Sequence, residues 1–195
     1  MHVISPGHLL HPLHRRRALE ALRRRSPPAT VLVICHGNVC RSPFAASLLA
    51  RHLAPAGVRV ESAGFTGPNR PCPPEALTVA ARRGVDLSAH RSRLLTADAA
   101  HAADLVVVMD PAQGRRVCDR FGRLPRDIVT LGDLDPQTIA TRVIRDPVNE
   151  RVEVFEESYD RIERCVAQLV RALGANHSPP PRHRPRETGN AAPPP

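Results

Sequence analysis

Cys35 and Arg41 stand six positions apart in VLVICHGNVCRSPFAASLL, the stretch from Val31 to Leu49. A cysteine attacks as its thiolate, and an arginine presents a planar, permanently charged fork that grips two phosphoryl oxygens at once. The spacing alone says little: five Cys and 28 Arg in 195 residues produce about 0.7 such pairs by chance. Cys165 and Arg171 share it. What lies between separates the two pairs. His36, Gly37, Asn38, Val39 and Cys40 include Gly and Asn, the types that most readily take left-handed backbone angles, so successive N–H groups can turn toward one centre as an anion nest. Ser42 suits a helix N-cap and Pro43 the first helical position, which aims a helix N-terminus at that centre. A dianionic phosphate fits there, cradled by residues 36 to 41. The same field favours the nucleophilic form of a cysteine, and the Ser42 hydroxyl can donate to it. Cys165 and Arg171 fall in a helical stretch where no loop can wrap a ligand.

Cleaving a phosphate ester also needs a proton for the leaving oxygen, hence a carboxylic acid on the far side of the phosphate. Three Asp-Pro pairs, Asp110-Pro111, Asp135-Pro136 and Asp146-Pro147, place a carboxylate on a stiff, non-helical turn. Spacing does not choose among them.

The elements that must position these groups alternate along the chain. Val31-Leu32-Val33-Ile34 is the continuous apolar run of a strand buried on both faces. Further strands are expected at 58–62, 104–109 and 127–131, and helices at 43–53, 74–83, 112–120 and 152–173. The last helix carries Phe155, Tyr159, Ile162, Val166 and Leu169 on one stripe. Alternation of this kind specifies an α/β domain with a parallel sheet, whose ligands sit beyond the carboxyl ends of the strands. Cys35, Ser62 and Asp110 all fall at such ends.

Composition narrows the function. The formal net charge is +9, all 28 basic residues being Arg, yet it is not gathered on the central region. Residues 1–29 hold six Arg and one Glu, and residues 175–195 three Arg and one Glu. With no Trp, one Tyr and four Phe, the chain lacks the aromatic platforms of single-strand binding, and nucleic acid is not the expected partner. Five irregularly spaced cysteines do not make a secreted disulfide framework, and no apolar run is long enough for a membrane span or a signal-peptide core. A reducing, cytoplasmic location is expected. The division expected is a basic, flexible extension over residues 1–29, a catalytic domain over 30–174, and a Pro- and Arg-rich disordered tail over 175–195.

CHGNVCRSP resembles the phosphate-binding loop of the low-molecular-weight protein tyrosine phosphatases. The resemblance extends over about residues 30–174, through VESAGF, GVDLSAHRSRLLT, VVVMD and RDPVNE. It implies a three-layer α/β sandwich with a four-stranded parallel sheet flanked by helices. It further implies hydrolysis of phosphotyrosine in proteins through a cysteinyl-phosphate intermediate, without metal or cofactor. Residue by residue, it makes Cys35 the nucleophile, Arg41 the clamp and Asp146 the general acid. His36, Gly37, Asn38, Val39, Cys40 and Arg41 then form the phosphate loop, and Asn38, Ser42, Ser62 and His90 the network that holds it. For a bacterial source it implies an autophosphorylating tyrosine kinase of polysaccharide export as protein partner, with the phosphatase itself a monomer.

The chain departs from the family pattern at two positions. Val148 stands where an aromatic residue commonly follows the Asp-Pro pair, and His36 where an aliphatic one commonly follows the nucleophile. Phe65 is the candidate for a replacement aromatic wall. Two rival functions share the loop. An arsenate reductase needs a relay of further cysteines, whereas Cys72, Cys118 and Cys165 stand singly; a non-catalytic phosphate-binding module would have no need of Cys35, Arg41 and Asp146 together. Cys40, inside the loop, reads equally as a resolving thiol for a peroxide-oxidised Cys35 and as a residue that simply packs against the sheet.

Overall fold

The structure, a computed structural model, describes residues 6–174; the expected tail over 175–195 lies outside the described residues. The four strands are β1 (Thr30–Cys35), β2 (Arg59–Gly64), β3 (Leu105–Val108) and β4 (Ile128–Thr130). They form one parallel sheet in the order β2-β1-β3-β4. The helices are α1 (Pro6–Arg24), α2 (Arg41–Leu53), α3 (Pro74–Arg82), α4 (Ala97–Ala102), α5 (Pro111–Phe121) and α6 (Val152–Gly174). The expected fold is thus the observed one.

Side chains of a strand alternate between the two sheet faces, and β1 and β3 are apolar on both. Val31, Val33 and Cys35, with Leu105 and Val107, enter the core shared with α2 and α6. Leu32, Ile34, Val106 and Val108 enter a second core beneath α4 and α5. The sheet order places β3 beside β1 although β2 lies between them in sequence, so the direction in which strands are added reverses at this pair. The crevice at such a switch point is where α/β sheets bind ligands, and β1 ends there on Cys35.

Two expectations are corrected. Residues 1–29 were expected to be a flexible extension, but from Pro6 to Arg24 the chain is helical. α1 lies against α6 and the turn at Leu131–Leu134, burying Leu19 and Leu22. His11, Ala18, Leu19 and Leu22 share one face at helical spacing, and α6 offers the apolar surface that covers it. The helix after the loop begins at Arg41 rather than Pro43, and Ser42 is no N-cap. Its hydroxyl is turned inward, for a reason visible at the site.

Candidate active site

The chain leaves the sheet at Cys35 and is back in helix at Arg41, so five residues make the loop. Asn38 takes the left-handed conformation, φ 53°, which lets the backbone curl around a centre. The Asn38 amide N–H donates to Cys35 Sγ at 3.2 Å, and Ser42 Oγ lies 3.1 Å from the same sulfur.

The Asn38 side chain decides which way these protons point. Its Oδ1 accepts the Arg93 N–H at 2.8 Å, so both amide hydrogens are free to donate. They go to Ser42 Oγ and Ser62 Oγ, each at 2.9 Å. Ser42 already accepts one hydrogen bond, and its own proton is left for the sulfur. His90 closes the network: Nε2 stands 2.8 Å from the Asn38 carbonyl, which can only accept, so the ring donates from Nε2. Burial holds the His90 pKa below its usual value, which keeps the ring neutral. The structure therefore brings Asn38, Ser42, Ser62 and His90 together in one hydrogen-bond network.

Several supports carried no sequence signal. Gly64 ends β2 directly behind the loop, where an added Cβ would meet Asn38 N at 2.8 Å and His36 O at 2.9 Å, so any side chain there would push the loop out of shape. Arg70 donates to the Gly37 and Gly67 carbonyls from the other side. Tyr159 donates to the Cys40 carbonyl at 3.0 Å while its ring stacks on Phe44, centroids 3.9 Å apart. Being the chain's sole tyrosine and on the buried stripe of the last helix, it reads from sequence as ordinary core.

Arg41 is buried; Nη1 donates to the Ile144 carbonyl at 2.9 Å and Nη2 is bonded to Asp146 Oδ2. Its buried Nε finds no hydrogen-bond partner among the described residues. Geometry also separates the three Asp-Pro pairs. Asp135 is completely buried and gripped by Arg161 and Arg164. Asp110 caps α5, accepting the Gln113 N–H at 2.8 Å. Asp146 alone touches Arg41, and its carboxyl is about one third exposed. Above the loop is a hollow of about 380 Å³ lined by His36, Arg41, Phe65, Asp110, Ala112, Gln113, Arg116, Val143 and Asp146. Val148 is not among its walls.

The other cysteines are free and do not share this setting. Burial raises the Cys40 thiol far above its ordinary range, and pushes Cys72 up to about 11 and Cys165 up to about 12. Cys165 is a core residue of α6, so the second Cys-to-Arg spacing is packing only.

The model of the low molecular weight phosphotyrosine protein phosphatase family matches residues 30–178, which span the sheet, the loop and the Asp146 turn. The chain belongs to this family. A probable low molecular weight protein-tyrosine-phosphatase, EpsP of Ralstonia nicotianae, is 38% identical over 149 residues, covering 74% of this chain and 98% of that protein. Among solved phosphatase structures, the tyrosine phosphatase AmsI of Erwinia amylovora superposes with a TM-score of 0.69 at 28% identity, covering 77% of this chain and 96% of its own. The YwlE arginine phosphatase of Geobacillus stearothermophilus superposes with a TM-score of 0.68 at 30% identity, covering 76% and 94%. In this chain α1 lies ahead of the matched region.

Proposed function

We propose that this phosphatase hydrolyses phosphotyrosine in proteins, with Cys35 as nucleophile, Arg41 as phosphate clamp and Asp146 as general acid. The observation that carries the reading is the convergence on one sulfur of the Asn38 amide and the Ser42 hydroxyl, at the floor of a hollow whose wall holds an Arg41–Asp146 pair. Two donors on a sulfur stabilise a thiolate. The Arg41 Nε, buried and unpartnered, supports a fork that takes a phosphoryl oxygen while Nη1 stays anchored on Ile144.

In this mechanism the thiolate attacks phosphorus in line, and the phosphoryl group passes to sulfur as the bond to the phenolic oxygen breaks. Asp146, displaced from Arg41 by the phosphate, gives that oxygen its proton. The resulting carboxylate then takes a proton from water, whose oxygen attacks the cysteinyl-phosphate and releases inorganic phosphate and Cys35. Arg41 and the loop N–H groups carry the charge that spreads over the equatorial oxygens.

The YwlE neighbour is named as an arginine phosphatase. Here the hollow already contains a guanidinium, that of Arg116, which disfavours a second cation and favours a neutral ring. The candidate protein partner is a bacterial tyrosine kinase bearing phosphotyrosine. Among the described residues no helix is long and apolar enough to cross a membrane.

The test is turnover of nitrophenyl phosphate. Cys35→Ser and Arg41→Lys should each abolish it while leaving the far-ultraviolet spectrum intact, and Cys165→Ser should leave it unchanged. Undiminished turnover in either of the first two removes that residue from its role.

A further inference from the structure

Arg116, on the exposed face of α5, holds its guanidinium carbon 4.3 Å from the centre of the Phe65 ring. Both residues line the hollow above the loop. Phe65 is itself buried, so its ring does not offer an open face to a ligand; what faces the hollow is the guanidinium lying on it.

The arginines around this loop differ in how far they are committed. Arg41 is bonded to Ile144 and Asp146, Arg70 to carbonyls of the loop and its neighbour, and Arg93 to the Ser62 carbonyl. Arg116 is exposed and, among the described residues, makes no ion pair or hydrogen bond. The acids of the hollow are occupied elsewhere: Asp146 rests on Arg41, and Asp110 caps α5. The charge of Arg116 is therefore uncompensated at the mouth of the site.

We propose that Arg116 determines specificity in this phosphatase: its guanidinium, backed by Phe65, is the wall on which the phosphotyrosine ring stacks, and its charge selects substrates with a carboxylate beside the phosphotyrosine. The inference rests on the phosphotyrosine reading above. Guanidinium planes stack on aromatic faces, and a guanidinium already resting on one ring can take a second on its other face. The residue after the Asp146-Pro147 pair, Val148, does not line the hollow, so Arg116 supplies the wall that this position leaves out. An exposed ion pair favours a ligand by only a few fold, and a like charge disfavours it by a similar factor, so an acidic and a basic peptide should differ by about five- to tenfold.

Two phosphotyrosine peptides, identical except for Glu or Lys on either side of the phosphotyrosine, decide the matter through kcat/KM. The wild type should prefer the Glu peptide by about five- to tenfold. Arg116→Gln should bring the two within about twofold, and Arg116→Glu should reverse the order. A purely structural role would lower both peptides alike and leave their ratio in place. A wild-type ratio near one, or a ratio unmoved by both substitutions, overturns the proposal. Nitrophenyl phosphate, measured on the wild type, separates the two levels: turnover without peptide discrimination overturns only the role of Arg116, and no turnover of any aryl phosphate overturns the phosphotyrosine reading with it.

Discussion

At the scale of single residues, the chemistry assigned to a side chain follows from what its neighbours leave it free to do. Asp110, Asp135 and Asp146 precede prolines in the same way, yet one is spent capping α5 and one is locked between Arg161 and Arg164. Asp146 keeps a partly exposed carboxyl paired with Arg41. Asp146→Asn should lower kcat by about 10² to 10⁴ for phenyl phosphate, whose leaving group is a strong base. For nitrophenyl phosphate the loss should be much smaller, since that anion leaves without a proton. Comparing kcat for the two esters checks this; equal losses would mean that Asp146 shapes the loop rather than donating to substrate. Cys40 illustrates the converse constraint. It sits in the same loop as Cys35, but burial raises its pKa far above the ordinary thiol range, which disfavours the thiolate that attack on an oxidised Cys35 requires.

At the scale of elements, α6 joins the two halves of the site. Its apolar stripe fills the core, Tyr159 on that stripe bonds the Cys40 carbonyl, and Ser158 bonds the Arg145 carbonyl at 3.0 Å. Arg161 donates to the Val143 and Thr141 carbonyls, holding the segment that leads to Asp146. One helix thereby contacts both the Cys35 loop and the segment that carries Asp146. α1 packs on the outside of this assembly, where Arg15 donates to Gln168 of α6 at 3.1 Å and Gly7 approaches the Ala140 carbonyl so closely that a Cβ there would collide with it. Leu22, fully buried at this contact, anchors it. Leu22→Ala should reduce unfolding free energy by about 2 to 5 kcal/mol, the cost of emptying a buried leucine site. Denaturant titration measures it, and a change within experimental error would return α1 to the status of a solvated arm.

At the scale of the whole molecule, the docking of α1 introduces a pH dependence. His11, on the inward face of α1, is buried, its Nε2 lacks a hydrogen-bond partner among the described residues, and the charged groups around it are Asp133, Asp135, Arg15 and Arg161. Burial is the leading influence and lowers its pKa from 6.5, outweighing the two carboxylates. The unfolded chain therefore binds a proton more readily than the folded one. The stability associated with a neutral His11 is complete above pH 6.5 and is lost as the pH falls from there toward the folded pKa. His90 acts in the same sense. Tm should drop between pH 7.5 and pH 5.5, and His11→Phe should make that drop smaller; an unchanged drop would place the titrating groups elsewhere.

What the sequence determined by itself is local. A run of β-branched residues, a Gly and an Asn in the next turn, and an apolar stripe on the last helix specify strand, anion loop and core helix within stretches of a few to twenty residues. The Cys35–Arg41 loop was legible because the whole device lies within seven consecutive positions. The tertiary structure decided what depends on distant partners. Arg41 meets Asp146 across 105 positions and Cys40 meets Tyr159 across 119, and no periodicity encodes either meeting. The Arg-rich N-terminus has the composition of a solvated extension. It folds onto the domain because α6, far along the chain, leaves an apolar surface that a helix carrying Leu19 and Leu22 can bury. Ser42, a good N-cap by type, is drawn inward for the same kind of reason: Asn38 and the Cys35 sulfur offer its hydroxyl better partners than the helix end does.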